Sequence, residues 1–203
     1  KKNKRLANCS YKPEFLKHLQ QICLEQGVSL VRTFSKQELG LVKTVQKINK
    51  ALPTEHQIFI PTNFVSYQDC IDQMAHSLQR EKTQLGQLTK LDLSNTTVEE
   101  FPREILTYLI GVKQVSLRNI YKKAPENFNA LNGLYALPNL ESINLSWNHL
   151  DMPNKSSLFI AFLRNFSKIR DLDLTHSDAD PSNAKALVEF CSARGINCKI
   201  ETV

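Results

Sequence analysis

The chain has 203 residues, 41% hydrophobic and 23% charged, the balance of a globular protein long enough to bury a real core. No apolar run nears the ~18–20 residues of a membrane span. The net charge of +6 draws four charges from Lys1, Lys2, Lys4 and Arg5, leaving 22 basic against 20 acidic side chains elsewhere, without the clustered basic face that nucleic acid requires.

The chain opens KKNKRLANCS, which lacks the apolar stretch of a secretory signal, and residues 1–12 are expected to be a basic flexible tail. A helix is predicted from Pro13 to Gly27, with Phe15, Leu16, Leu19, Ile22 and Cys23 inward, followed by the strand-like VSLVR. Ser35-Lys36-Gln37-Glu38 is a capping box, with Phe34 and Leu39 placed as a hydrophobic staple. Residues 58–65, IFIPTNFV, have strand character; Phe59 and Val31 extend an apolar patch if these strands are true repeats and are core if they belong to a cap, and the core placing is the one expected. Ser66-Tyr67-Gln68-Asp69 starts another helix, with Ile71, Met74, Ala75 and Leu78 on one face. Residues 13–85 therefore form a helix-rich N-terminal region, either a cap or degenerate repeats.

From residue 86 to 203 the pattern changes to a repeat. LESINLSWNHL, residues 140–150, has the form LxxLxLxxNxL with Asn148 at the ninth place. Apolar residues at places one, four and six turn one face of a strand to a core, and the asparagine can bond the backbone groups that a turn leaves open. LTKLDLSNTTV starts at 88, VKQVSLRNIYK at 112 and IRDLDLTHSDA at 169, with Thr96, Ile120 and Ser177 in the asparagine place. The starts are 24, 28 and 29 residues apart, and the longer spacings leave room for a helix between strands. Leu158, Ile160, Phe162 and Phe166 suggest one such helix, and Pro181 and Gly195 bracket another. GINCKIETV ends the chain with Ile196, Cys198 and Val203 in the fourth, sixth and eleventh places.

This pattern resembles the leucine-rich repeat family, in the irregular ribonuclease-inhibitor-like form. The resemblance implies an α/β solenoid of about seven strand–helix units, with a curved parallel sheet on the concave side and helices on the convex side. It also implies a rigid binding surface for a protein partner, with no cofactor, no metal and no catalysis. The concave places are three, five and seven: Lys90, Asp92, Ser94; Gln114, Ser116, Arg118; Ser142, Asn144, Ser146; Asp171, Asp173, Thr175. Trp147, the only tryptophan, falls at the eighth place, on the rim, beside Tyr121, His149 and His176. It is either an interface anchor, as aromatic rim residues often are, or a lid over its own repeat. The candidate protein-binding residues are Lys90, Asp92, Gln114, Arg118, Tyr121, Asn144, Trp147, His149, Asp171, Asp173 and His176.

Enzymatic readings are weaker. No HExxH, CxxC pair or glycine-rich phosphate loop occurs, and His176-Ser177-Asp178 lies where a repeat turn supplies such residues anyway. Cys70-Ile71-Asp72 resembles the Cys-x-Asp of bacterial leucine-rich-repeat ubiquitin ligases without their large catalytic domain, so Cys70 is expected to be buried. Leu52-Pro53-Thr54-Glu55 resembles the opening of an F-box, whose helices would recruit a ligase scaffold. Irregular repeats, abundant Lys, Asn and Gln, and five cysteines read as reduced thiols also resemble leucine-rich-repeat effectors injected by intracellular bacteria. The sequence thus predicts a monomeric interaction module binding neither nucleic acid nor membrane, located in the cytoplasm or delivered into a host cell. A ubiquitin-pathway adaptor and a regulatory domain of a longer chain are the alternatives.

Overall fold

The computed structural model describes residues 35–61, 64–96, 101–179 and 184–200, together with the backbone of two short strands. Those strands, β1 (Lys4–Leu6) and β2 (Leu30–Arg32), pair in parallel. β1 thus takes up part of the stretch read as a tail, while β2 falls on the predicted VSLVR. The helix predicted over 13–27, with Cys23, lies outside the described residues, as do Cys9, Phe34 and the side chain of Val31.

Helix α1 (Lys36–Ala51) starts where the sequence places it. The Ser35 hydroxyl accepts from the Glu38 amide at 3.2 Å, and the Glu38 carboxylate accepts from the Ser35 amide at 2.7 Å. Two N-terminal amides that the helix itself cannot satisfy are thereby closed. Leu41, Val45 and Ile48 are fully buried on one face. Leu39, expected in the staple, is 41% exposed, and its partner Phe34 lies outside the described residues.

After a 3₁₀ turn at Thr54–His56, residues 58–61 (IFIP) run without strand pairing, and the rest of IFIPTNFV up to Asn63 lies outside the described residues. The Asn49 side chain explains this: its Nδ2 donates to the Ile58 carbonyl at 2.8 Å and its Oδ1 accepts from the Ile58 amide at 2.7 Å. One side chain takes the two groups that a neighbouring strand would have paired. Ile58 is buried, but Phe59 is 56% exposed, so the expectation that it joins the core is corrected.

Helix α2 (Tyr67–Arg80) is capped by Ser66, whose hydroxyl accepts from the Asp69 amide at 3.1 Å. Cys70, Met74, Ser77 and Leu78 are buried along it, whereas Ala75, expected inward, is exposed. Glu81 then separates α2 from α3 (Lys82–Gln87).

The remainder is an α/β arrangement around a five-stranded, all-parallel sheet, with the strands adjacent in chain order. These are β3 (Lys90–Asp92), β4 (Gln114–Ser116), β5 (Ser142–Asn144), β6 (Asp171–Asp173) and β7 (Asn197–Lys199). Leu91, Val115, Ile143, Leu172 and Cys198 stand side by side in register. The first four are buried, and their strand neighbours are exposed or half-buried, so one face of the sheet is covered and the other open. Cys198 occupies the fourth place rather than the expected sixth. A two-residue slip keeps every side chain on its face, so hydrophobic alternation alone does not detect it.

Connectors close the covered face: helix α4 (Arg103–Leu106), a 3₁₀ helix at Asn129–Ala136, α5 (Met152–Leu163) and α6 (Lys185–Ala193). Leu106, Leu131, Leu134, Phe159, Leu163 and Leu187 join the strand residues in one core. Each fully buried side chain of this kind contributes on the order of 2 kcal/mol. The spacing from 112 to 140 left room for an α-helix, yet its connector is 3₁₀. Gly133 shows the constraint, since a Cβ there would lie 2.2 Å from the Phe101 carbonyl oxygen of the neighbouring connector. At the other end of the sheet α1 lies against β3, and the Lys47 ammonium donates to the Ser94 carbonyl at 2.9 Å.

Candidate functional site

The chain leaves each of β3 to β6 through the same turn. Asn95, Asn119, Trp147 and His176, all at the eighth place of the pattern, have φ of 58°, 54°, 61° and 55°. Stacking enforces this left-handed conformation. Inter-strand bonding continues past the strand ends, with the amides of Asn95, Asn119 and Trp147 donating to the carbonyls of Arg118, Ser146 and Thr175 at 2.9, 3.1 and 2.9 Å. Asparagine adopts this backbone readily, whereas other non-glycine residues do so at a cost of about 1–2 kcal/mol. Half the row therefore carries the residue type that the turn favours, and half carries large aromatic rings.

Asn148, 1% exposed, holds two turns at once. Its Oδ1 accepts from the amides of Ile120 at 2.9 Å and Tyr121 at 2.7 Å. Its Nδ2 donates to the carbonyls of Leu117 at 2.9 Å, Leu145 at 2.7 Å and Ser146 at 3.2 Å. This is why an isoleucine is tolerated in the asparagine place at 120. In the other two degenerate copies a hydroxyl substitutes: Thr96 donates to the Leu93 carbonyl, and Ser177 donates to the Leu145 carbonyl at 2.6 Å. Ser177 is thus a buried turn residue, while the His176 ring lies against Trp147 and the Asp178 carboxylate faces His149.

The open face is polar, but several of its residues serve the turns. Asp92, Asn144 and Asp173 each accept, through Oδ1, from the amide two residues on, that of Ser94, Ser146 and Thr175, at 2.9, 2.9 and 3.1 Å. The Asp92 carboxyl is held below its usual range by the Ser94 hydroxyl first, with burial opposing and Lys47 assisting. The Asp/Asn-x-Ser/Thr spacing carried this signal, and the outward alternation concealed it. Ser94 and Ser146, expected on the same face, are buried. Lys90, Gln114 and Asp171 remain exposed, and Asn197 Nδ2 donates to Asp171 Oδ1 at 3.0 Å.

At the rim the structure brings together Arg118, Trp147 and His176. Trp147 is 50% exposed. The His176 ring lies 4.1 Å from it, centroid to centroid, and the Arg118 guanidinium carbon stands over it at 5.4 Å. Tyr121 does not join them: it packs against the core, its hydroxyl is buried without a partner among the described residues, and burial pushes its pKa up. His149 instead faces Asp178, Nδ1 to Oδ2 at 3.1 Å. The expected cluster of four rings is therefore an arginine–tryptophan–histidine stack with a separate histidine–aspartate pair.

Among the described residues no group of three His, Cys, Asp or Glu is arranged to hold a metal ion, and no helix is long and apolar enough to cross a membrane. The chain matches no protein-family model, and no curated protein matches it significantly.

Proposed function

We propose that this chain is a leucine-rich-repeat interaction module that binds a protein partner through the open, concave face of its sheet, with the rim at Arg118, Trp147 and His176 as the anchor. The repeat reading is supported by four turns of the same left-handed form, the asparagine that serves two of them, and the parallel sheet in register. The binding reading rests on one observation. A half-exposed tryptophan occupies a turn place that suits asparagine, braced between an arginine and a histidine. Backbone strain held in place by surrounding structure tends to collect at functional positions. A braced ring also loses little freedom on binding, which is what an interface anchor needs.

The ubiquitin-pathway alternative has less support. Cys70 is fully buried on α2, so it lacks the access that a reactive cysteine requires.

The discriminating experiment is affinity capture from cell lysate with wild type beside Trp147→Asn, a variant that keeps a residue suited to the turn. A partner held by wild type and lost by the variant, at an unchanged melting temperature, supports the rim as anchor. Equal capture by both moves the interface elsewhere and leaves Trp147 as a lid.

A further inference from the structure

Helix α1 carries lysines at 43, 47 and 50, spaced by four and three residues, so that they neighbour one another along one side of the helix. They line a groove of about 370 Å³ whose other walls include Asn49, Gln57 and Thr96. Lys43 and Lys47 are half-buried and Lys50 is exposed. Among the described residues no carboxylate lines the groove.

The neutral polar walls are already engaged with the protein. Asn49 holds both backbone groups of Ile58, Gln57 Nε2 donates to the Asn49 carbonyl at 3.4 Å, and Thr96 Oγ1 donates to the Leu93 carbonyl. Lys47 spends one of its three N–H donors on the Ser94 carbonyl at 2.9 Å, with Asp92 nearby. Lys43 and Lys50 form no hydrogen bond or ion pair with a described residue. The negative end of the helix dipole favours Lys50, which lies in the last turn, but Lys43 sits mid-helix with a like charge one turn away, which disfavours it. What the groove has left to offer is therefore positive charge and ammonium donors.

We propose that this groove binds a compact anion carrying two or more phosphate groups, supplied either as a free polyphosphate or as a polyphosphorylated lipid headgroup. Lysine ammoniums act as point charges suited to phosphate, and lack the planar fork that matches a carboxylate. Lys43 and Lys50 stand about 10 Å apart along the axis, at ~1.5 Å per residue, farther than one phosphate spans, so the row takes phosphates in sequence. No aromatic ring lines the groove among the described residues. A nucleobase would find no stacking platform there, and the ligand class is a polyphosphate without a base.

The test is isothermal titration of the folded chain with pyrophosphate and with inositol hexakisphosphate, with orthophosphate as the single-phosphate comparison. Both polyphosphates should bind more tightly than orthophosphate. Lys43→Gln combined with Lys50→Gln should lower their affinity by about tenfold at an unchanged melting temperature. Lys47 is kept because it also bonds Ser94. Lys122→Gln combined with Lys123→Gln removes the same charge from exposed positions after β4 and should leave the affinity as it is. Equal weakening by the two double variants overturns the proposal, because net charge alone then accounts for binding. Polyphosphates that bind no more tightly than orthophosphate overturn it as well. Cosedimentation with phosphatidylcholine vesicles containing phosphatidylinositol bisphosphate separates the sources. Vesicle binding that is lost in the Lys43, Lys50 variant supports a lipid headgroup, and tight binding of the soluble ligands without cosedimentation supports a free polyphosphate.

Discussion

Asn148→Ala should be among the most damaging single substitutions in the sheet region. It removes one acceptor and two donors from a site that is 1% exposed. The carbonyls of Leu145 and Ser146 keep other donors, Ser177 Oγ at 2.6 Å and the Asn119 amide at 3.1 Å. Among the described residues the amides of Ile120 and Tyr121 have Asn148 Oδ1 as their acceptor, at 2.9 and 2.7 Å. Each buried donor left unsatisfied costs about 1–3 kcal/mol, so the two together predict a loss of about 2–6 kcal/mol. Against a total of about 5–15 kcal/mol for a domain, this is a large fraction. Urea denaturation measures it directly, as a lowered midpoint at an unchanged slope. Asn148→Asp keeps the acceptor but sets a charged oxygen against the Leu117 and Leu145 carbonyls, and should lose at least as much. A loss below about 1 kcal/mol for Asn148→Ala would refute the argument that one side chain holds two turns.

Further expectations follow from the same contacts. Gly133→Ala places a Cβ 2.2 Å from the Phe101 carbonyl oxygen and should destabilise by about 1–3 kcal/mol through overpacking, read as a lower midpoint in urea. Trp147→Asn relieves about 1–2 kcal/mol of left-handed strain and loses stacking and cation–π contacts worth about 1–2 kcal/mol, so its melting temperature should stay near that of wild type. The Glu81 carboxyl is held below its usual range by the Arg80 hydrogen bond first, against burial, with His56 assisting at 2.8 Å. Because the folded pKa is depressed, this contribution is complete above the ordinary Glu value of about 4.3 and is lost as pH falls through the folded value. Melting curves taken downward from pH 5 should fall less steeply in Glu81→Gln than in wild type, and parallel curves would sink the assignment.

The N-terminal caps at Ser35 and Ser66 and the inward positions Leu91, Val115, Ile143 and Leu172 could be read from residues alone. Capping joins groups three residues apart, and strand alternation depends on the pleat, so both are local. Candidate site residues were less legible. Lys90, Gln114 and Asp171 do face outward, but Asp92, Asn144 and Asp173 bond to their own turns, and Tyr121 packs inward. Phe59 is exposed, in a segment where Asn49, nine residues before Ile58, takes both backbone groups of Ile58. The left-handed turn could not be foreseen at Trp147, because its conformation is tied to the next turn, 28 or 29 residues away, by the bond of its amide to Thr175 and of the Asn148 amide to Ser177. Composition and periodicity were enough to establish an α/β chain with one strand face on a core. The register of β7, the 3₁₀ connector and the placing of Arg118 over Trp147 arose only when the segments stacked, because each depends on contacts between residues that no local pattern relates.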